Sequence, residues 1–330
     1  MRNFTFKGLF LTAVFALLGC LSIQAADDDL ITKQFTIKLD KAGTLPDRIA
    51  SSKKYKITNL KIIGEINGTD WNMIREMAGR NYQESSTEGN LSVLDLSEAK
   101  IVAGGDYYYY DNLFNNKVYT SNDEIGEYAF AYCSGLTSLT LPVGITSIGE
   151  FAFYGCSGLT SLTLPAGITS IGEYAFSRCS GLTSLTLPAG ITSIDKYAFS
   201  GCSRLTSLTL PAGITSIGEF AFSYCSGLTS IYVYAEKVPR IGRYAFEGCA
   251  SRKCTLYVPK GTYDNYRLSE FGYFENIVEF DATGIDKTTT STDVEEVSRY
   301  SLNGQRLAVP VKGLNIVKYS DGSARKVVVK

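Results

Sequence analysis

From Ile125 onward, apolar and polar positions fall into a fixed rhythm. The segment Leu136-x-x-Leu139-x-Leu141 alternates as a strand buried on one face does, and it returns at Leu159, Leu182 and Leu205. Isoleucine opens each unit at Ile125, Ile148, Ile171, Ile194 and Ile217, every 23 residues, and Ile241 follows after 24. Pro142, Pro165, Pro188 and Pro211 stop the strands, and a glycine two residues later turns the chain. Between isoleucine and strand, Glu-Tyr-Ala-Phe-x-x-Cys carries apolar residues three apart, which predicts one short helical or 3₁₀ turn on the return side.

The stretch from Cys156 to Ser170 recurs letter for letter from Cys179 to Ser193. A compact core needs many different side-chain shapes, so verbatim repetition predicts a stack in which every unit meets the same neighbours. A unit of this size cannot bury enough apolar surface alone to offset its ordering entropy, and it must lean on the units above and below. Ile57-x-x-Leu60-x-Ile62, Leu91-x-x-Leu94-x-Leu96 and Leu256-x-Val258 fit the same frame and bring the expectation to about eight rungs.

The pattern divides the chain. Residues 1–25 read as an export signal: Arg2 and Lys7, then the apolar run Gly8 to Leu21, then small residues ending at Ala25. Leu17-Leu18-Gly19-Cys20 also fits a lipobox, so lipidation of Cys20 stands as the alternative to cleavage after Ala25. Residues 26–124 form an N-terminal cap of irregular repeats, with a helix expected from Asp70 to Ala78, capped by Thr69 or Asp70 and stopped by Gly79, and a loop from Ala103 to Glu124. Residues 125–256 are the regular units and 257–280 a second cap, because solenoid ends expose unpaired strand edges. A Thr-rich linker (281–298) leads to a small β module (299–330), with hairpin turns expected at Asn303-Gly304 and Asp321-Gly322.

Charge and composition narrow the function classes. Lys and Arg total 32 against 33 Asp and Glu, a net charge of −1 that gives no electrostatic footprint for nucleic acid. The chain has no histidine, which removes Ser-His and Cys-His nucleophile pairs and the HExxH zinc site. No GxSxG, P-loop or dinucleotide motif is present. The expectation is a chain without catalysis, cofactor or metal.

The six consecutive units, with [YF]-A-F-x-x-C and L-x-x-L-x-L-P, resemble the BspA-like leucine-rich repeat of Bacteroidetes surface proteins, over Ile57 to about Phe280. The resemblance implies an α/β repeat fold: a leucine-rich-repeat solenoid with stacked parallel strands, capped at both ends, plus the small C-terminal β module. It also implies a secreted or surface-attached protein that adheres to host extracellular-matrix or bacterial surface proteins, with any membrane attachment through a lipid anchor or the export route. The tail from Arg299 resembles a type IX secretion sorting segment, though it is shorter than a full sorting domain.

Several positions are candidates for binding. Tyr107, Tyr108, Tyr109 and Tyr110, set among Gly, Asp and Asn, have paratope-like composition; the plainer reading is a capping loop whose tyrosines alternately pack and face water. Tyr232 and Tyr234 interrupt the Thr and Pro ladders, either as a contact patch or as adjustment to the C-terminal cap. Ser138, Ser161, Ser184 and Ser207, with Thr140, Thr163, Thr186 and Thr209, are expected to project as two hydroxyl rows that could take a glycan, although such residues also suit exposed strands. Cys133, Cys156, Cys179, Cys202 and Cys225 share one phase and read as a column of buried free thiols. Cys249 and Cys254 fall out of phase, and a disulfide between them is a hypothesis. Glu127, Glu150, Glu173, Lys196, Glu219 and Arg243 read as a solvated face.

Overall fold

The computed structural model describes residues 29–112, 115–282, 296–301, 306–307, 313–319 and 324–329. The expected export signal, with Cys20, lies outside the described residues, as do most of the linker and both turn dipeptides of the tail.

The strand face is a ladder of ten parallel strands among the described residues. Phe35–Lys38, Asn59–Ile66, Val93–Ile101, Ser138–Thr140 and Ser161–Thr163 form one sheet; Ser184–Thr186, Ser207–Leu210, Ser230–Val233, Thr255–Pro259 and Asn276–Phe280 form the next. Equivalent residues pair in register, Leu139 with Leu162 and Leu208 with Ile231. Strand pairing lapses between the two sheets, where the Thr183 amide and hydroxyl still reach the Thr160 carbonyl at 3.2 Å. The two strands beyond the eight expected rungs are Phe35–Lys38 and Asn276–Phe280. Each pairs on one side only, so neither carries the full L-x-x-L-x-L pattern.

A second flank is built from two-residue strands, Glu124–Ile125, Ser147–Ile148 and Ser170–Ile171, then Ser193–Ile194, Ser216–Ile217 and Arg240–Ile241. Thr hydroxyls staple rungs on both faces: Thr206 donates to Thr183 O at 2.9 Å, and Thr215 to Thr192 O at 2.9 Å.

The return side is neither α-helix nor 3₁₀, contrary to expectation. Its amides alternate in purpose. Those of Tyr128, Phe130 and Tyr132 donate to Glu150, Ala152 and Tyr154 O of the next rung, while those of Ala129, Ala131 and Cys133 close local turns to Gly126, Tyr128 and Phe130 O. A helix would commit every amide within its own rung and leave none for stacking. The alternation places Tyr128, Phe151, Tyr174, Tyr197, Phe220 and Tyr244 in the left-handed region, φ 53–58°, a conformation that costs about 1 kcal/mol or more for a residue with a Cβ. The partners gained by those rings hold it.

Helices among the described residues are confined to the caps. The helix Gly68–Met77 is capped by Asn67 rather than Thr69 or Asp70: the Asn67 side chain accepts from Thr69 N, and Asp70 reaches back to Asn67 N in a capping box. Asp70 also accepts from Gly43 N (2.6 Å) and Leu45 N (2.8 Å), which ties the first segments of the cap to the helix. The second cap contains the helix Tyr263–Arg267 and the 3₁₀ turn Glu270–Tyr273. In the tail, Glu296–Ser301 pairs antiparallel with Arg306–Leu307 and Gly313–Tyr319, and the latter with Ala324–Val329.

Candidate functional site

The core sets which side chains are free to act. Phe130, Phe153, Phe176, Phe199, Phe222 and Phe246 stack through the solenoid with centroids 4.9–5.5 Å apart. Beside them run the thiols. Cys156, Cys179, Cys202, Cys225 and Cys249 each donate from Sγ to the carbonyl of a phenylalanine in the preceding rung, at 3.0–3.3 Å. Cys249 therefore continues the column instead of leaving it, because the extra residue of the last unit falls before the return segment is complete. Cys249 and Cys254 are both buried free cysteines, not a disulfide, and the Cys249 thiol is turned to Phe222 O. Burial pushes the Cys133 thiol up to about 11 and Cys254 to about 12, and raises Cys156 and Cys179 well above the ordinary value. Such thiols stay protonated and unreactive at neutral pH.

Stacking leaves one end with unmet acceptors. Each rung's return carbonyls receive amides from the rung before, and the first rung has no such neighbour. The N-terminal cap supplies side chains in their place: Tyr108 OH donates to Glu127 O (2.8 Å), Trp71 Nε1 to Ala129 O (2.9 Å), and the buried Arg75 guanidinium to Tyr128 O and Ala129 O. A cation without a carboxylate partner is tolerated here because it faces a cluster of carbonyl oxygens.

This changes the standing of the tyrosine run. In place of the loop expected from Ala103 to Glu124, Gly104–Asp111 and Asn116–Thr120 form an antiparallel pair whose register shifts between Gly104 and Tyr109. The shift breaks alternation, so Tyr108 and Tyr109 are both buried. Tyr108 lies 6.1 Å from Trp71, and Tyr109 stacks on Tyr128 at 4.1 Å with its hydroxyl on Glu84. Burial raises both phenols, Glu84 adding to the effect at Tyr109. Tyr107 and Tyr110 are half-buried; Lys117 Nζ sits 4.6 Å over the Tyr107 ring, and Tyr110 OH bonds Asn115. Tyr109 begins a second ladder, Tyr128, Phe151, Tyr174, Tyr197 and Phe220, stacked at 4.1–5.0 Å and half-buried. The Tyr128 phenol is pushed up to about 12 by burial and by nearby carboxylates, Asp111 first.

Tyr232 stacks on Tyr257 at 4.4 Å, and Tyr234 meets Phe280 edge-on at 5.1 Å; both pack onto the C-terminal cap, with Tyr234 partly exposed. The hydroxyl rows lie in register, Ser138 beside Ser161 and Thr140 beside Thr163; Ser161, Ser184, Thr140, Thr163 and Thr186 are exposed, while Ser138, Ser207 and Thr209 are half-buried.

The hairpin creates a feature that the sequence reading missed. Between its strand Asn116–Thr120 and the second flank lies an open groove of about 420 Å³. It is lined by Gly126, Gly149 and Gly172, by Ser147 and Ser170, by the carboxylate residues Glu124, Glu127, Glu150 and Asp195, and by Lys117 and Tyr119 of the hairpin. Gly149 has no room for a side chain, since a Cβ there would lie 2.7 Å from Glu127 N. Tyr119 is 49% exposed, as large an aromatic as this groove offers. Tyr224, at 59% the most exposed tyrosine among the described residues, was also unmarked. It had a sequence signal: the position before each cysteine alternates Tyr132, Gly155, Arg178, Gly201, Tyr224, Gly248, all at positive φ, so large residues lie over the glycine of the next rung.

Residues 123–253 match, in six copies, the family described as BspA type leucine rich repeat region. Among solved structures, the chain is similar to the Treponema pallidum leucine rich repeat protein at 29% identity, covering 46% of this chain and 73% of that one, with a TM-score of 0.39. It is similar to a leucine rich cell surface protein of Faecalibacterium prausnitzii at 24% identity, covering 68% and 51%, TM-score 0.33. A leucine-rich repeat protein of Bacteroides ovatus matches at 24% identity over 49% and 59%, TM-score 0.26. The chain thus spans about half the length of the Faecalibacterium protein. No curated protein matches it. Among the described residues, no helix is long and apolar enough to cross a membrane. Residues 123–253, which match the BspA type leucine rich repeat model, form the middle of a leucine-rich-repeat solenoid of stacked short parallel strands.

Proposed function

We propose that the chain is a non-catalytic binding protein, secreted or attached at the cell surface, that adheres to host or bacterial surface proteins through one flank of its solenoid. The observation that carries this reading is the groove. A hairpin inserted in the N-terminal cap stands off the first rungs and turns a regular flank into a concave, polar surface lined by carboxylates and Tyr119. Rigid rungs held by two aromatic ladders and a thiol column present that surface without a further ordering cost, which favours binding. The thiols of the column are buried and offer no accessible nucleophile. The similarity of this chain to a protein described as a cell surface protein agrees with the export signal read at 1–25.

The test is binding of the full chain to purified matrix and bacterial surface proteins, comparing the natural sequence with Tyr119→Ser and with Tyr232→Ser as a variant outside the groove. The reading expects a partner whose affinity falls with the first change and holds with the second. Absence of any partner, or equal affinity for all three proteins, refutes it. A glycan-binding reading draws on the in-register Ser and Thr rows, and a glycan array on which the chain is silent disposes of it.

A further inference from the structure

We infer that the groove is a docking site for an extended, lysine- or arginine-rich segment of a partner protein; this rests on the binding role proposed above. Three observations converge. First, Asn116, Lys117, Val118 and Tyr119 are consecutive, and all line the groove. Neighbouring residues of a strand point to opposite faces, so it is the edge of the strand, not one face, that borders the opening. Second, that edge is unpaired: Asn116–Thr120 belongs to a two-stranded sheet and has Gly104–Asp111 as its only strand neighbour among the described residues. An unpaired edge offers a row of backbone donors and acceptors to an incoming strand.

Third, the charge is one-sided. Glu124, Glu127, Glu150 and Asp195 line the groove, and none of them forms an ion pair among the described residues. The groove's single cation, Lys117, is placed over the Tyr107 ring. Further along the flank, Lys196 pairs with Glu219 at 3.8 Å, so the acidic stretch ends where the groove does. Glu127 and Glu150 hold equivalent places on adjacent rungs, and rungs are spaced by roughly 4.8 Å. A strand laid along Asn116–Thr120 would bring cationic side chains over this row while its backbone completes the hairpin edge.

The experiment uses the full chain and a fluorescein-labelled peptide of alternating lysine and threonine, followed by anisotropy at low and raised salt. Binding is expected to weaken with salt, to weaken about tenfold in the Glu127→Gln, Glu150→Gln, Asp195→Asn variant, and to persist in Glu236→Gln, which lies outside the groove. Methylating alternate peptide amides is expected to abolish it. Unaltered binding by the triple variant with its far-ultraviolet circular dichroism intact, or indifference to amide methylation, overturns the assignment. So does equal binding of the glutamate counterpart of the peptide. The C-terminal stretch 299–330 holds seven Lys and Arg against one Asp. If peptide binding strengthens in a full-chain variant with Lys318, Lys326 and Lys330 changed to Ser, the occupant is the chain's own tail and the partner assignment falls. If a surface-protein partner binds but the peptide does not, this inference fails while the general binding role stands.

Discussion

Phe176→Ala tests whether the solenoid is held rung by rung. Phe176 is fully buried and lies between Phe153 at 4.9 Å and Phe199 at 5.2 Å, with interplanar angles of 6° and 2°. Truncating a buried phenylalanine costs about 3–5 kcal/mol. The upper part of that range is expected here, because two ring contacts, each about 0.5–1.5 kcal/mol beyond area burial, disappear together. In a one-dimensional stack the loss falls on two interfaces and is not shared across a common core. The chain has a single tryptophan, and Trp71 packs on Phe130 at 5.2 Å in the N-terminal cap, so its fluorescence reports that end alone. Urea unfolding of the variant is expected to give a fluorescence midpoint above the midpoint from circular dichroism, which reads all the strands. A loss below about 1 kcal/mol, or a fluorescence midpoint that falls as far as the circular dichroism midpoint, would refute the rung-by-rung account.

Other perturbations probe the caps, the close rung contact and the thiols. Gly149→Ala is expected to destabilise by about 1–3 kcal/mol, since its Cβ would meet backbone of the preceding rung at 2.7 Å, and a thermal midpoint equal to the parent's would contradict this. Asp70→Ala frees three backbone donors at Gly43, Leu45 and Asn67; a loss of at least about 2 kcal/mol in urea is expected, concentrated in the Trp71 signal. Because the Cys133 thiol moves from 9.0 to about 11 on folding, its contribution is complete below pH 9 and is lost as pH rises through about 11. The Cys133→Ala variant is therefore expected to lose less stability than the parent between those values, and parallel pH curves would count against the burial argument. Alkylation at neutral pH is expected to leave the column unmodified until denaturant is added; rapid labelling of the native chain would show an opening that the stack should prevent.

What could be read from the chain follows from which contacts are local in the repeat. Leu139, Phe130 and Cys133 recur at one period and meet their own equivalents, so their ladders follow from spacing alone. The ends lack that advantage. Phe35–Lys38 has one strand neighbour and a short apolar pattern, and the cap of the helix Gly68–Met77 depends on Asn67, Asp70 and two distant amides. Tyr108 and Tyr109 mislead for a different reason: a register shift in the hairpin buries consecutive residues, and their partners Trp71, Tyr128 and Glu84 are remote in sequence. The groove was illegible because it exists only where the hairpin meets the flank. Glu127 and Glu150 have the pattern of ordinary exposed positions of a repeat, whereas the alternation of Tyr224 with glycine is legible in the residues that precede each cysteine.

The identical fifteen-residue stretches at Cys156 and Cys179 have a last consequence. A segment inserted or excised at that seam arrives with the same Phe, Cys and Thr neighbours it left, and the side chains that close the first and last layers are untouched. Length in this molecule is thus a dial, adjustable in steps of one turn, and the two ends can be moved apart or together while the surface that each presents stays as it was.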